Sequence, residues 1–260
     1  MKTILSNILK AMAILPYLHV LREKYFPSDY YKKTLLAHQD YMVFLSQFVK
    51  NGDLCFDIGA HKGHRTEILL QLGAKVVTIE PQKDLYKYLK FKFGKKIQLE
   101  NCGISSKNGT EALFINSYSS LSTFSQTWAD QAQTGRFANS TWIAKRWMKV
   151  HTLDYMIEKY GLPAFCKIDV ESYEYEVLSG LSKNIPYISF EFMIPENVDI
   201  LRKCLYQLIS LNPLAEFNYA LGDNLKLALS EWVQSSKVEE FLNQEIFSTS
   251  SWGDIYVHLP

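Results

Sequence analysis

The chain of 260 residues is 47% hydrophobic and carries 28 lysine and arginine residues against 27 aspartate and glutamate residues. This length and composition suit one domain with a full core, and the near-neutral charge argues against nucleic acid as a partner. Four widely separated cysteines form no C-x-x-C pair, which argues against a zinc site and against a disulfide framework. We therefore expect a protein of the reducing cytoplasm.

Residues 1–50 predict a helical extension in front of a domain that spans 51–260. The apolar stretch "AMAILPYLHVL", Ala11–Leu21, is too short to cross a bilayer, and Pro16 interrupts it. Packing of this stretch on the domain is the favoured interpretation. Peripheral membrane contact is the alternative, because basic residues flank the apolar face. A second helix is predicted over residues 30–49, where apolar residues recur at helical spacing.

From residue 52 onward, strand-like apolar runs alternate with helical spacing. The strand-like runs are "DLCFDIG", "KVVTIEP", "KIQLEN", "AFCKIDV", "YISFEFM", "AEFNYAL" and "DIYVHL". Helical patterns separate most of these runs, and one of them is predicted around "LALSEWVQ". Continuous apolar strands between helices predict a mostly parallel sheet that is covered on both faces. We therefore predict a three-layer α/β domain.

Glycines and polar residues stand where several of the predicted strands end. In sheets of this class, ligands bind beyond the carboxyl ends of the strands, where the strand order reverses. The candidates for cofactor binding at these ends are Asp57, Gly59, Ala60, Gly63, Glu80, Pro81, Asn101, Cys102 and Gly103.

The turn "FDIGAHKG", residues 56–63, departs from the dinucleotide fingerprint G-x-G-x-x-G. Asp57 and Lys62 stand where the first and third glycines are required. A carboxylate at this place would repel a pyrophosphate and attract an ammonium group. S-adenosylmethionine carries an ammonium group and no phosphate, and Glu80 is spaced to accept hydrogen bonds from its ribose hydroxyls. An oxidoreductase that uses a nicotinamide cofactor is the disfavoured alternative.

Several motifs in register carry a resemblance to a known family. They include "FDIGAHKG", "VVTIEPQ", "VHTLDYMIEKYG" and "KIDVESYEYEVLSGL", and the similarity runs from about residue 53 to 192. In these motifs the chain resembles the FkbM-type methyltransferases. The resemblance implies a Rossmann-like methyltransferase fold with an antiparallel last strand and S-adenosylmethionine as the cofactor. It also implies methylation of a hydroxyl oxygen on a small-molecule, sugar or glycan-like acceptor.

One position departs from the family pattern. The family has glycine after the glutamate of "KIDVE", whereas this chain has Ser172. If that glycine adopts a positive φ, a serine there would cost about 1 kcal/mol. The alternative is an ordinary backbone whose hydroxyl reaches the pocket. A third hypothesis for the chain as a whole is a non-catalytic module that binds S-adenosylmethionine, with Ser172 as its hint.

The acceptor side is predicted at the end of "AFCKIDVES". A hydroxyl acceptor benefits from a base, whereas a nitrogen with a free lone pair needs none. Asp169 is the first candidate for the base and Glu171 the second; the alternative is that Lys167 and backbone donors satisfy both carboxylates structurally. No tight cluster of histidine and aspartate in the sequence supports a metal site. The substrate-side candidates are His61, His64, Ser120 and Ser172.

Residues 117–149 are the least regular part of the sequence. The segment carries three tryptophans and two arginines, Trp128, Arg136, Trp142, Arg146 and Trp147. Long connections in compact domains are often functional, so a substrate lid is the favoured interpretation. The alternative is a short helical insertion that its tryptophans pack against the domain.

Overall fold

The fold is that of a computed structural model, which describes residues 18, 21, 22, 25, 38–132, 137–222, 224–249 and 251–260. The first predicted helix, over residues 11–21, therefore lies almost wholly outside the described residues. Within the second predicted helix, residues 38–45 are helical. The boundary between the extension and the domain stays a prediction.

Strands and helices alternate through most of the domain. The strands are β1 (Leu54–Ile58), β2 (Lys75–Ile79), β3 (Gln98–Glu100), β4 (Gly103–Ile104), β5 (Gly109–Asn116), β6 (Trp142–His151), β7 (Phe165–Ile168), β8 (Tyr187–Ile194), β9 (Glu216–Leu221), β10 (Val233–Gln234) and β11 (Ser251–His258). The helices are α1 (His64–Gln71), α2 (Lys83–Phe93), α3 (Gln126–Gln131), α4 (Leu153–Tyr160), α5 (Glu174–Ser179), α6 (Val198–Leu211) and α7 (Val238–Leu242).

The main sheet has eight strands in the order β10-β9-β11-β8-β7-β1-β2-β3. The five strands from β8 to β3 are mutually parallel, and β11 runs antiparallel to both of its neighbours, β8 and β9. This confirms the predicted α/β class and the antiparallel last strand. The strand order reverses between β1 and β7, so the ligand edge lies at the carboxyl ends of these two strands.

Each face of the main sheet packs against helices because alternate residues of a strand point to opposite sides. One face contributes residues such as Phe56, Ile168 and Phe190 to a core that includes residues of α4, α5, α6 and α7. The other face contributes residues such as Phe165 and Tyr256 to a core with the 38–45 segment, α1 and α2. The sheet is therefore the middle of three layers.

A second, three-stranded sheet has the order β4-β6-β5, with β5 and β6 antiparallel. It corrects the expectation of irregular structure for part of the segment 117–149, because residues 142–149 belong to the regular strand β6, Trp142–His151. The sequence of β6 shows no alternation of apolar and polar residues, because apolar side chains such as Ile143 and Trp147 stand at exposed positions that alternate with half-buried ones.

The helix predicted around "LALSEWVQ" is wrong. Residues 225–232 contain bends without helix, and β10 follows them. The side chain of Asn218 accepts a hydrogen bond from the Leu229 amide at 3.1 Å and donates one to the Leu229 carbonyl at 2.9 Å. The Ala228 amide donates to the Tyr219 carbonyl at 2.7 Å. These bonds to β9 take up backbone groups that a helix would pair internally.

Among the residues with described structure, no helix combines the length and the apolar character needed to cross a bilayer.

Gly253 lies in β11, between β8 and β9, where a side chain has no room. A Cβ atom at this position would lie 2.1 Å from the Ala220 carbonyl oxygen. We predict that Gly253→Ala lowers the free energy of unfolding by about 1–3 kcal/mol, since the strands must separate to admit the methyl group. Gly109→Ala is the control, because no atom lies within 4 Å of the corresponding Cβ. Equal denaturation midpoints for the two variants would contradict this packing.

Candidate functional site

The turn after β1 brings the ends of β1 and β7 into direct contact. Gly59 has a φ of +79°, and a Cβ atom there would lie 1.9 Å from the Asp169 carbonyl oxygen. Only glycine allows this approach. Gly63 acts differently: a Cβ there would lie 2.5 Å from the Phe93 ring, so this glycine lets α1 pack on α2.

Glu80 follows β2 and has a fixed, buried carboxylate. The backbone amide of His61 donates to Glu80 Oε2 at 2.8 Å, and the amide of Gln82 donates to Oε1 at 2.7 Å. Burial raises the pKa of Glu80 to about 8, although both amides stabilise its ionised form. Asn101 supports the same turn, since its side-chain amide donates to the carbonyls of Glu80 and Pro81 at 2.8 and 3.0 Å.

Three adjoining cavities lie at this edge of the sheet. The Glu80 cavity is lined mostly by uncharged groups, including Pro81, Gln82, Cys102, Gly103, Ile104 and Phe124. The acidic cavity, of about 250 Å³, is lined by Asp57, Gly59, Ala60, His61, His64, Arg65, Ser120, Asp169, Glu171 and Glu191. The Trp252 cavity, of about 290 Å³, is lined by Leu121, Phe137, Glu171, Glu191, Met193 and Trp252.

Asp57 is 1% exposed, and its carboxylate borders the acidic cavity. The hydroxyl of Thr66 donates to Asp57 Oδ2 at 2.5 Å and lies 3.1 Å from the hydroxyl of Thr78. Burial raises the pKa of Asp57, while the Thr66 hydrogen bond opposes that shift. Thr66 on α1 therefore holds the Asp57 carboxylate in one orientation at the border of the cavity.

Lys167 is the buried cation of the site. It is 2% exposed, and its Nζ lies 2.9 Å from Asp254 Oδ1 and 3.5 Å from Asp169 Oδ2. Burial disfavours its charge, but Asp169 and Asp254 together raise the pKa of Lys167. The structure thus supports the interpretation that Lys167 pairs with Asp169, although the Asp169 side chain remains 39% exposed and borders the cavities.

Glu171 and Ser172 both adopt positive φ angles, 56° and 65°. The hydroxyl of Thr123 donates to the Glu171 carbonyl at 2.7 Å and helps to hold this turn. Ser172 is 5% exposed, and its hydroxyl accepts a hydrogen bond from the side chain of Asn197 at 3.2 Å. Of the two alternatives for Ser172, the strained backbone is therefore observed, and Ser172 is not among the residues that line the three cavities.

Glu171 belongs to a group of three carboxylates that lie close together. Oxygens of Asp169, Glu171 and Glu191 all lie within 4.8 Å of one another. Burial raises the pKa of Glu171 well above its usual value, and the charges of Asp169 and Glu174 raise it further. The same holds for Glu191, where burial is again the largest cause and Asp169 the next. Such a cluster can accept protons or bind a positively charged group.

The histidine candidates differ in position. The His61 ring is within hydrogen-bond distance of Ser119, with Nε2 and the hydroxyl oxygen 2.8 Å apart. Burial lowers the pKa of His61 to about 4, so the ring is neutral at pH 7. His64 and Ser120 both line the acidic cavity. Of these candidates, His61 and Ser120 border both the Glu80 cavity and the acidic cavity.

Several residues of the site were not predicted from the sequence. On the loop 119–124, Ser120 alone was a candidate, and Trp252 had no motif around it. Glu191 did leave a signal, because it is a charged residue inside the apolar run "YISFEFM". A carboxylate in a buried strand is seldom without a partner or a function.

Substitutions at residue 172 test the strained turn. Ser172→Ala keeps a side chain at positive φ and loses the bond to Asn197, whereas Ser172→Gly loses the same bond and relieves the strain. We predict that the glycine variant is more stable than the alanine variant by about 1–2 kcal/mol, the cost of a left-handed residue with a Cβ atom. Chemical denaturation measures the difference. Equal stability of the two variants would show that the turn carries no such strain.

Comparison with known proteins adds a family. The chain matches the family model of the methyltransferase FkbM domain over residues 57–208, which is more than half of its length. A search of curated proteins finds no significant match.

Among solved structures, an O-methyltransferase from Bacillus cereus in complex with SAH is 13% identical, with a TM-score of 0.44, covering 92% of this chain and 95% of that one. A precorrin-6Y C5,15-methyltransferase from Geobacter metallireducens is 10% identical, with a TM-score of 0.43, covering 84% and 87%. A TehB-like SAM-dependent methyltransferase from Corynebacterium glutamicum is 10% identical, with a TM-score of 0.42, covering 85% and 88%.

The residues present fit S-adenosylmethionine. Glu80 offers two fixed carboxylate oxygens, and none of the described residues that line the Glu80 cavity is a lysine or arginine that could pair with a pyrophosphate. Gly59 lines both the Glu80 cavity and the acidic cavity, so its backbone without a side chain borders the place for the ligand. The chain belongs to the FkbM methyltransferase family, and its cofactor is S-adenosylmethionine.

Proposed function

We propose that this methyltransferase transfers the methyl group to a hydroxyl oxygen of a small-molecule, sugar or glycan-like acceptor. The observation that carries the proposal is the position of Glu171, which borders the Glu80 cavity, the acidic cavity and the Trp252 cavity. A carboxylate at this junction lies between the place for the methyl donor and the place for an acceptor.

The cofactor assignments follow from the two fixed carboxylates. Glu80 would accept hydrogen bonds from the ribose hydroxyls, and Pro81 and the Cys102–Ile104 segment of the same cavity would hold the adenine. Asp57 and the acidic cavity attract the ammonium group. S-adenosylmethionine supplies a methyl group activated by the sulfonium: the sulfur–carbon bond breaks, the oxygen–carbon bond forms, and the sulfur keeps the electron pair. The protein aligns the acceptor and excludes water.

The acceptor proton goes to Glu171 in this proposal, and Asp169 orients the hydroxyl. The sequence alone favours Asp169 as the base. Glu171 borders the Trp252 cavity as well as the other two, while Asp169 is shared with Lys167. Burial and the charge of Asp169 raise the pKa of Glu171, which makes its carboxylate the stronger proton acceptor.

The loop that precedes α3 supports the lid proposal for residues 117–149. Its residues Ser119, Ser120 and Ser122 line the Glu80 cavity, and Leu121 lines the Trp252 cavity. One short segment therefore covers both the donor side and the acceptor side. In this proposal it closes over the two ligands and keeps water from the reacting atoms.

The first test concerns Glu80. We predict that Glu80→Ala weakens binding of S-adenosylhomocysteine by about 1–3 kcal/mol, because two charge-assisted hydrogen bonds to ribose are lost. Calorimetric titration measures the affinity. Glu158→Ala, on the exposed face of α4, is the control and should bind as the parent does. Unchanged affinity in folded Glu80→Ala protein would overturn the ribose assignment.

The same titration has a pH dependence. With a pKa of about 8, Glu80 is mostly protonated below that pH, and ribose hydroxyls donate best to the ionised form. Affinity should therefore rise from pH 6 to pH 9, by up to about tenfold per pH unit below the pKa. The glutamine in Glu80→Gln cannot ionise, so this variant should lose the part of the pH dependence of affinity that comes from residue 80.

The second test separates the two acceptor-side carboxylates and first requires an acceptor. A panel of sugars, glycolipids and hydroxylated natural products with methyl-labelled S-adenosylmethionine would identify one. We predict that Glu171→Gln lowers turnover on the order of a hundredfold, the usual scale for a general base, with little change in cofactor affinity. Asp169→Asn should cost less. The reverse ranking would return the role of base to Asp169.

Cofactor binding with no transfer to any acceptor in that panel would favour the non-catalytic module. Transfer to an amine nitrogen with full activity in Glu171→Gln would show that no base is needed.

A further inference from the structure

The Trp252 cavity combines an apolar wall with a carboxylate wall. Met193 and Trp252 are cross-strand partners on β8 and β11, and Phe137 and Leu121 complete the apolar side. Trp252 is 45% exposed, so its indole is available to a ligand. Glu171 and Glu191 form the opposite side.

One oxygen of the Glu191 carboxylate is buried without a hydrogen bond. Its Oε2 atom is shielded from solvent and has no hydrogen-bond partner among the described residues. A buried acceptor without a partner costs free energy and calls for an explanation such as a ligand that donates to it. Since Glu191 lines both the acidic cavity and the Trp252 cavity, a ligand that occupies either one can contact its side chain.

The charges around Glu191 are unbalanced. Among the described residues, four carboxylates line the acidic cavity, and Arg65 is the cationic side chain in its lining, besides two histidines. Lys167 lies beneath them, but it is shared with Asp254. The ammonium group of S-adenosylmethionine, assigned to this cavity above, would offset one of these charges. Glu171 and Glu191 also line the Trp252 cavity, so a cationic acceptor would still be favoured there over an anionic one.

We propose that the Trp252 cavity binds a protonated amine of the methyl acceptor, with the ammonium at Glu191 and the adjoining carbon skeleton against Trp252. This inference rests on the proposed function, because it names the acceptor class of the same site: an amine-bearing alcohol. Aromatic rings bind ammonium groups through cation–π attraction while also covering apolar carbon atoms.

An organic cation suits the cavity better than a divalent metal ion does. Magnesium and calcium require about six or more oxygen ligands. The described residues bring together three carboxylates, with the Lys167 ammonium 3.5 Å from one of them. The remaining walls are aromatic and thioether groups, which do not bind hard cations.

The test uses benzylamine and benzyl alcohol, which share a ring and differ in charge. Both are titrated into the full chain with S-adenosylhomocysteine bound, at neutral pH, by calorimetry or ligand-observed NMR. We expect benzylamine to bind at least tenfold more tightly than benzyl alcohol. Glu191→Gln should weaken the binding of benzylamine at least fivefold and change the affinity for benzyl alcohol less than twofold. Glu158→Gln, at an exposed position, should change neither affinity.

Trp252→Ala should weaken the binding of both probes at least threefold. Trp147→Ala is its control, since Trp147 is 70% exposed on the β5–β6 hairpin and is not part of the cavity lining. Thermal melts establish that each variant is folded, and Trp252→Phe replaces Trp252→Ala if the latter is not.

Equal affinities for the two probes, or benzylamine binding that Glu191→Gln does not change, would overturn the proposal. A metal site would replace the proposal under one further outcome: magnesium or manganese ions bind, they displace benzylamine, and their affinity is lost in Glu191→Gln. Failure of S-adenosylhomocysteine to bind would count against the proposed function instead. Because that complex is formed first, the two failures are distinguishable.

Discussion

The site depends on one buried ammonium group, that of Lys167. It is 2% exposed and contacts Asp254 and Asp169, which belong to β11 and to the end of β7. A buried charge is tolerated only when its partners are in place, and the removal of one partner leaves the others uncompensated. Lys167 in turn acts on the neighbouring carboxylates: burial raises the pKa of Asp57, Glu171 and Glu191, and the charge of Lys167 opposes part of that shift at each of them. The cation thus allows one edge of the sheet to concentrate carboxylates.

One face of the main sheet serves both the core and the site. On that face, β7 begins with Phe165 and continues to Lys167, while β8 begins with Tyr187 and continues to Ser189 and Glu191. The apolar starts pack against the 38–45 segment and the residues that follow it. At the polar ends, Lys167 and Ser189 stay buried, and Glu191 lines the acidic and Trp252 cavities. Because parallel strands share one direction, the carboxyl ends of the parallel strands meet at the same edge, and core packing supports the site without occupying it.

The sequence was sufficient wherever the signal was local. The class of fold follows from apolar runs between helices. The turn at Asp57–Gly63 could be interpreted because its side chains depart from the dinucleotide-binding fingerprint. The antiparallel last strand came from the family resemblance. The rest depends on contacts between distant segments. The helix predicted around "LALSEWVQ" is wrong because Asn218 on β9 pairs with the backbone of Leu229. Glu191 and Trp252 join Glu171 only through strand pairing, which no single stretch of residues reveals.

The turn at Glu171 and Ser172 shows how a local departure can be absorbed. Both residues have positive φ, which costs about 1–2 kcal/mol for each residue with a Cβ atom. The Thr123 hydroxyl holds the Glu171 carbonyl, and Asn197 holds the Ser172 hydroxyl, so the surrounding structure fixes the strained backbone. A glycine at 172 would adopt the same angle without strain but could not accept the bond from Asn197. Serine therefore carries backbone strain but gains a side-chain contact with Asn197. That contact helps to fix the turn, and the turn places the Glu171 carboxylate at the junction of the three cavities.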